Sequence, residues 1–191
     1  MKEQTFWLAM TLATTTATAG AAQDMQPKME KFVTEHVMDW ATDPIIVDAI
    51  IAQNAISGSY DQAKINELDT LWMAQSGMAG IPLIADVLQN PTSDFLRQRI
   101  ATAGGTIAEI FVMDARGLNV AAAEATSDYW QGDEEKFSET FPKGPNAIHF
   151  GEVELDGSSG EVQAQVSMSI VDTTGAVAGA MTVGINLASL M

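Results

Sequence analysis

Cysteine is absent from this chain of 191 residues, and only two histidines are present. Without cysteine the chain offers no disulfide, no thiol nucleophile and no thiolate ligand for a metal. The sequence also lacks a Gly-x-Ser-x-Gly elbow, a glycine-rich phosphate loop and a His-Glu-x-x-His motif. We therefore predict a protein that is not an enzyme, binds no cofactor and no metal, and is stabilised by packing.

Basic residues are also scarce, because 9 lysines and arginines stand against 25 aspartates and glutamates. The resulting net charge of -16 repels nucleic acids and anionic lipid surfaces before short-range contacts can form. Cations and cationic partners remain compatible with it. The hydrophobic fraction of 47% and the chain length fit a globular protein with a substantial core.

Apolar runs long enough to cross a membrane are missing as well. The apolar run at 6–19 follows Lys2 and is shorter than the ~20 residues that a transmembrane helix needs. It leads into small residues at 19–22, which are typical of a cleavage site. We predict that residues 1–22 are a secretory signal peptide cleaved after Ala21 or Ala22, so that the protein is periplasmic or secreted. The alternative is an uncleaved interfacial or membrane anchor.

The N-terminal half has the sequence pattern of several helices. Apolar residues between 25 and 40 recur at the i, i+3, i+4 and i+7 spacing of an amphipathic helix. A capping side chain followed by proline, which is a typical helix start, occurs at 43–44 and again at 90–91. Ser59 and Gln62 resemble a capping box, which predicts the start of a further helix there.

After the Gly-Gly pair at 104–105, the apolar period becomes that of a strand. Asp-x-x-Gly sequences at 114–117 and 172–175 predict hairpin turns, in which each aspartate accepts hydrogen bonds from the amides of its own turn. A short helix or loop is expected at 133–141. The predicted strands are 110–113, 118–123, 147–155, 161–171 and 177–187. Together these patterns predict an α+β fold, with helices first and an antiparallel sheet of about five strands after them.

The strand predicted at 161–171 alternates between apolar and polar residues. Its apolar face is predicted to pack on the core and consists of Val162, Ala164, Val166, Met168 and Ile170. The polar residues Gln163, Gln165, Ser167 and Ser169 have two interpretations: the floor of a ligand pocket, or a solvated face. The same two interpretations apply to Phe150 in the preceding strand.

Two aromatic rings lie among carboxylates in the segment 127–135. Tyr129 and Trp130 are flanked by Asp128 and Asp133, and a ring face beside a carboxylate attracts an organic cation. One interpretation is therefore a cation-binding recess. The other is that a ring anchors the segment to the core, while the carboxylates cap a helix that starts near Glu134.

Three stretches, in this order, resemble a Cache domain, a PAS-like extracytoplasmic sensing domain of bacterial receptors. They are a strand, Asp-x-x-Gly, strand unit at 110–123, Thr-Ser-Asp-Tyr-Trp-Gln-Gly-Asp-Glu at 126–134, and Ile-Val-Asp-Thr-Thr-Gly-Ala-Val-Ala-Gly at 170–179. The resemblance covers 95–190. It implies a long N-terminal helix against a PAS-like antiparallel sheet, with a small-molecule pocket on the opposite face under a flap at 128–141.

The resemblance also implies a domain organisation and a ligand class. Residues 1–22 would be the signal peptide, 23–92 a helical region and 93–191 the Cache sheet domain. Members that hold an amino-acid carboxylate place an arginine near the aromatic motif, whereas this chain has acidic residues there. An amine or a neutral ligand is therefore favoured over a carboxylate. The predicted ligand-binding residues are Asp128, Tyr129, Trp130, Asp133, Phe150, Gln163, Gln165 and Ser167.

Two functions are compatible with these patterns. In the first, a periplasmic sensor captures a small organic molecule and reports it to a membrane receptor, kinase or transporter, with a homodimer through the N-terminal helix as a further expected contact. In the second, the protein is a ligand-blind adaptor for a membrane kinase or transporter. Its pocket would then be filled by side chains such as Trp130 and Phe137, and the helices at 29–56 would form the interface.

Overall fold

The computed structural model describes residues 16–75, 78, 80–155 and 162–191. Within these ranges the chain forms six α-helices and five β-strands. The helices are α1 (Thr16–His36), α2 (Pro44–Ser57), α3 (Gln62–Gln75), α4 (Pro82–Leu88), α5 (Pro91–Thr102) and α6 (Glu135–Ser138). The strands are β1 (Ile107–Met113), β2 (Asn119–Ala122), β3 (Ile148–Leu155), β4 (Val162–Val171) and β5 (Val177–Asn186). Short 3₁₀ turns follow at Phe141–Lys143 and Leu187–Leu190.

Both predicted helix starts with a capping side chain before proline are confirmed. The side chains of Asp43 and Asn90 accept hydrogen bonds from amides of the first helical turn at 3.0 and 2.8 Å. The capping box predicted at Ser59 is wrong, because Asp61 caps α3 by accepting a bond from Lys64 N at 2.8 Å. Aspartate and serine are about equally good N-caps, so residue type does not choose between Ser59 and Asp61. Asp61 caps α3 because it directly precedes the first residue of the helix, Gln62.

The five strands form one antiparallel sheet in the order β2-β1-β5-β4-β3. Its middle strand, β5, pairs with β1 on one side and with β4 on the other. Thr182 of β5, for example, lies opposite Phe111 of β1 and opposite Ser167 of β4. The predicted α+β fold with a sheet of about five strands is therefore confirmed.

One face of the sheet packs against α1, α2 and α5, and the main apolar core lies there. From β4 this core contains Ala164, Val166, Met168 and Ile170, as the alternation predicts. From the helical half it contains Met29, Val33, Trp40, Ile50 and Leu96, among others. Val162, which the same alternation places on this face, is 44% exposed because it lies at the first position of the strand.

The opposite face of the sheet is covered over only part of its width. Near β1 and β2 a second apolar cluster joins Trp72 of α3 to Phe111 of β1 and to Tyr129 and Phe137. The last two belong to the flap segment, residues 128–141. Over β3 and the adjacent part of β4 the same face carries polar side chains. This uncovered part is where the Cache resemblance places a pocket.

Some predicted features fall at the limits of the described residues. Residues 1–15 of the predicted signal peptide and the predicted turn at 156–160 lie outside them, while 16–22 belong to α1. Cleavage after Ala21 or Ala22 stays a prediction. The predicted boundary between 92 and 93 falls inside α5, which packs on the sheet. None of the helices in the described ranges combines the length and the apolarity needed to cross a bilayer.

Candidate ligand-binding site

A trough with a volume of about 600 Å³ lies between the flap segment and the outer strands of the sheet. Strands β3 and β4 supply its floor and one wall, and the start of α6 supplies the other wall. Its lining is rich in polar and acidic side chains. They include Ser127, Asp133, Glu134, Glu135, Lys136, His149, Glu152, Glu154, Gln163, Gln165 and Ser167.

The floor of the trough is a row of hydrogen-bonding groups on β4. Gln165 Nε2 donates to Glu109 Oε1 at 2.7 Å, which fixes the orientation of this amide and leaves its carbonyl oxygen able to accept a bond from a ligand. Ser167 Oγ lies 2.9 Å from Thr182 Oγ1, and both residues are fully buried. The floor is therefore preorganised by bonds between neighbouring strands.

The walls of the trough carry carboxylates on both sides. Asp133, Glu134 and Glu135 line the flap side, and Glu152 and Glu154 line the β3 side. Glu134 is half-buried and the other four are exposed, so the potential along the trough is negative and favours a cation, while solvent and salt screen part of it.

One lysine in the lining offsets part of this negative charge, and a histidine lies beside one of the carboxylates. Lys136 Nζ lies 2.9 Å from Glu134 Oε2 and 5.5 Å from the centroid of the Phe111 ring, so it is already paired. His149 Nε2 lies 3.8 Å from Glu135 Oε2. The trough therefore keeps an excess of carboxylates over cationic side chains. In the part of the chain that the structure describes, no group of three or more acidic or histidine side chains is arranged to hold a metal ion.

Tyr129 and Trp130 do not line the trough but hold the flap segment to the rest of the fold. Tyr129 is 3% exposed, stacks on Trp72 with ring centroids 5.6 Å apart, and accepts a hydrogen bond from Gln53 Nε2 at 3.3 Å. Trp130 Nε1 donates to the carbonyl of Arg116 at 2.8 Å. Burial, as the main cause, raises the pKa of Tyr129 above its ordinary value, so the phenol stays protonated.

A single carboxylate fixes the backbone of the same two residues. Asp69 Oδ1 accepts hydrogen bonds from Tyr129 N at 2.9 Å and from Trp130 N at 3.0 Å. Asp69 lies on α3, far from the flap segment along the chain. Both rings and both amides therefore anchor the flap segment, which matches the second interpretation of this motif. The capping part of that interpretation is wrong, because Glu134 precedes α6 without any side-chain capping bond.

Two further predicted residues also lie away from the trough. The Asp128 carboxylate accepts a bond from Ser127 Oγ at 2.7 Å and is not among the lining groups. Phe150 pairs with Val166 and packs against the main core on the helix side of the sheet. The structure therefore brings together Asp133, Gln163, Gln165 and Ser167, and it separates from them Asp128, Tyr129, Trp130 and Phe150.

A bulge in β3 explains why Phe150 and the acidic wall lie on opposite faces. Phe150 pairs with Val166, and Val153 pairs with Ala164. Between these two pairs β3 contains one residue more than β4. An extra residue reverses the alternation of side chains beyond it. Glu154 therefore lies opposite Gln163 on the trough side. Strict alternation from the sequence would instead put it on the same face as Phe150.

Comparison with known proteins gives structural matches only. No family model and no curated protein matches the chain. The sensor domain of the V. cholerae histidine kinase DctB matches with 14% identity and a TM-score of 0.42, over 90% of this chain and 58% of that one. The ligand-binding domain of the Pseudomonas aeruginosa amino-acid chemoreceptor PctC, in complex with GABA, matches with 13% identity and a TM-score of 0.41, over 91% and 59%.

A third match has the same character. The sensory domain of a Campylobacter jejuni chemoreceptor with isoleucine bound shows 12% identity and a TM-score of 0.40, over 86% of this chain and 63% of that one. The chain thus spans between 58% and 63% of the length of these three structures. All three are sensory or ligand-binding domains of a histidine kinase or a chemoreceptor.

Proposed function

We propose that this protein is a Cache-type sensor that binds a small organic cation in the acidic trough and reports its occupancy to a membrane partner. The observation that carries the proposal is the lining of the trough, where carboxylates on both walls face the amides of Gln163 and Gln165 on its floor. A volume of about 600 Å³ is in the range of pockets that hold small organic molecules. We place the protein in the periplasm or outside the cell.

The distribution of charge supports an amine or a quaternary ammonium ligand. Among the described residues the lining contains no arginine, and its lysine is paired with Glu134. A ligand carboxylate would meet Asp133, Glu135 and Glu154 without a free cation to offset them, and like charges at close range are unfavourable. An ammonium group would instead be attracted to either wall.

Ligand binding would link the two walls of the trough. Glu135 belongs to the flap segment and Glu154 to β3, so a cation held between them favours the arrangement in which the flap segment lies close to the sheet. A ligand that binds this arrangement more tightly than an open one shifts the population towards it. The altered surface is what a membrane receptor, kinase or transporter would recognise.

The first test is thermal unfolding in the presence of matched amines and carboxylates. Choline and butylamine should raise the melting temperature, whereas butyrate should not, because a ligand of the native state stabilises it by about 2.7 kcal/mol at 100 times its Kd. An upshift with butyrate and none with either amine would overturn the ligand class.

The second test places the ligand in the trough. The double variant Glu135→Gln/Glu154→Gln should bind the amine about tenfold more weakly, because each exposed ion pair contributes up to about 1 kcal/mol. Glu30→Gln/Glu124→Gln is the matched control, since it removes the same charge from exposed positions outside the trough. Equal loss in both double variants, measured by calorimetry, would show that only the net charge matters.

The ligand-blind adaptor remains a second candidate, because side chains of the flap segment already fill part of the sheet surface. Phe137 is 8% exposed and Trp130 packs against the same cluster. An adaptor would capture the same membrane partner with or without amine. A sensor requires the captured amount to change when choline is added.

A further inference from the structure

A second groove, with a volume of about 540 Å³, lies on the other side of the molecule from the acidic trough, along α2. One wall is the outer face of α2, and the opposite wall is formed by the end of α4 and the start of α5. Ala49, Ala52 and Ile56 of α2 and Val120 of β2 make its surface apolar. We call it the α2 groove.

The sequence of α2 explains why this surface is apolar. Its residues, Pro-Ile-Ile-Val-Asp-Ala-Ile-Ile-Ala-Gln-Asn-Ala-Ile-Ser, are apolar around most of the helix circumference. A helix of this kind is expected to be covered on more than one side. The sheet covers Ile46, Val47 and Ile50, whereas Ile51 and Ile56 are 47% and 56% exposed. The outward side of α2 is therefore available to a partner.

Charge defines what kind of partner fits. Asp48 on α2 and Asp86 on α4 lie on the two rims of the groove, and no lysine or arginine of the described part of the chain lines it. A segment with an apolar side and cationic flanks would bury Ile56 and pair with both carboxylates. A second copy that docked through the same groove would bring the same two carboxylates against each other, and an anionic membrane would be repelled by the net charge of -16.

We propose that the α2 groove docks a cationic amphipathic segment of a partner protein. This partner-binding surface is separate from the acidic trough. Docking of the segment does not depend on the proposed function. Only the coupling between docking and the small molecule in the trough rests on the proposed function.

Hydrogen bonds from α2 provide that link. Gln53, in the lining of the groove, donates to the hydroxyl of Tyr129 at 3.3 Å, and Tyr129 belongs to the flap segment that walls the trough. The neighbouring Asn54 accepts a bond from Ala115 N at 2.7 Å and donates to the carbonyl of Ala178 at 2.8 Å. A movement of the flap segment or of the sheet therefore alters the hydrogen bonds of Gln53 and Asn54 that position α2.

The experiment measures the fluorescence anisotropy of a labelled synthetic helix, with leucine at i, i+3, i+4 and i+7 and lysine elsewhere, against the full chain without any small molecule. We expect saturable binding that weakens at least tenfold in Asp48→Lys/Asp86→Lys and in Ile56→Gln. Glu30→Lys/Glu124→Lys changes the net charge by the same amount at exposed positions outside the groove, and it should keep most of the affinity.

Three outcomes overturn the proposal. The first is absence of binding, or equal binding of a helix with glutamate in place of lysine. The second is equal weakening in the groove and control double variants, which would mean that attraction by net charge explains the binding. The third is a dimer in sedimentation that Ile56→Gln dissociates, which would make a second copy the occupant. Choline affinity of the same variants is measured separately, so that failure of docking is distinguishable from failure of the trough.

Discussion

At the scale of single residues, two Asp-x-x-Gly turns with the same chemistry lie in opposite environments. Asp114 Oδ1 accepts from Arg116 N at 2.8 Å and from Leu118 N at 2.9 Å, and Asp172 Oδ1 accepts from Thr174 N at 2.8 Å and from Ala176 N at 3.0 Å. Asp114, however, is 0% exposed, whereas Asp172 is only half-buried. The predicted turn bonds are confirmed at both positions.

This difference gives the two carboxyls pKa shifts of opposite sign. Burial is the main cause that raises the pKa of Asp114, and the bonds from Thr174 are the main cause that lowers the pKa of Asp172. For Asp114 the unfolded chain loses its proton first, so the free energy of unfolding falls as pH rises from 3.8 to the folded pKa. Asp172 stabilises the fold above pH 3.8, and this stabilisation is lost as pH falls through its folded pKa.

In Asp114→Asn the free energy of unfolding should no longer fall through this carboxyl as pH rises above 3.8. In Asp172→Asn it should no longer fall through this carboxyl as pH drops below 3.8. The asparagine side chain keeps an oxygen that can accept the two turn bonds in either case. Urea unfolding from about pH 2 to about pH 7 measures both slopes. Each variant is the matched control for the other, and slopes that change in the same direction would contradict the assignment.

The turn chemistry of these residues was predictable from the sequence, because Asp and Gly at this spacing determine the local geometry. Their burial was not predictable. Asp114 is covered because α2 packs beside the β1–β2 turn, where Asn54 accepts a bond from Ala115 N at 2.7 Å. That contact joins residues far apart in the chain and has no local signal.

At the scale of elements, the attachment of the flap segment to α3 decides whether the trough has a second wall. The attachment consists of two bonds from backbone amides to Asp69, the stacking of Tyr129 on Trp72, and a bond from Trp72 Nε1 to the carbonyl of Thr126 at 2.9 Å. Sequence periodicity located α3 but gave no reason to single out Asp69. A half-buried aspartate on a helix has no distinguishing sequence pattern until its partner is known.

Replacing Asp69 by alanine should loosen the flap segment without unfolding the protein. The variant leaves two amides without an acceptor, at a cost of about 1–3 kcal/mol for each group that stays out of water. Hydrogen exchange at Tyr129 N and Trp130 N should accelerate, and choline binding should weaken. Asp69→Asn keeps an acceptor oxygen and should change both properties less. Thr70→Ala on the same helix controls for the effect of a truncated side chain, and equal acceleration in that variant would contradict the anchoring role.

Several elements were predictable for clear physical reasons. Caps before proline located α2 and α5, and alternation along β4 separated its core face from the floor of the trough. The acidic wall from β3 was not predictable, because a bulge between Phe150 and Val153 reverses which residues face the trough. The one local sign is Gly151, since an isolated glycine within a strand is typical of a bulge, but the pairing with β4 decides where the extra residue lies.

At the scale of the whole molecule, repulsion among carboxylates opposes folding. The net charge is -16, and ion pairs such as Lys31 with Glu35 and Lys143 with Glu139 are exposed and weak. The sequence was sufficient to predict this balance, since it needs only a count of charges. Where the charges concentrate, in the trough and on the rims of the α2 groove, became visible only with the fold.

We expect sodium chloride to raise the melting temperature. The screening length falls from about 30 Å at 0.01 M to about 3 Å at 1 M, which weakens repulsion across the molecule more than it weakens close pairs. Calorimetry across this range measures the effect, with chloride used because sulfate stabilises proteins by a separate mechanism. A lower melting temperature in high salt would mean that the ion pairs outweigh the repulsion. Choline binding should weaken over the same range.

The central place of β5 in the sheet also has a consequence for the order of folding. β5 follows all the other strands in the chain, yet both inner pairings of the sheet depend on it. During synthesis at about 5–20 residues per second, the early helices can form before β5 has been made. Until then the edges of β1 and β4 that pair with β5 have no partner strand. The sheet therefore stays incomplete until β5 has been made. Because open strand edges can pair with other chains, a chaperone that covers them is advantageous until β5 is in place.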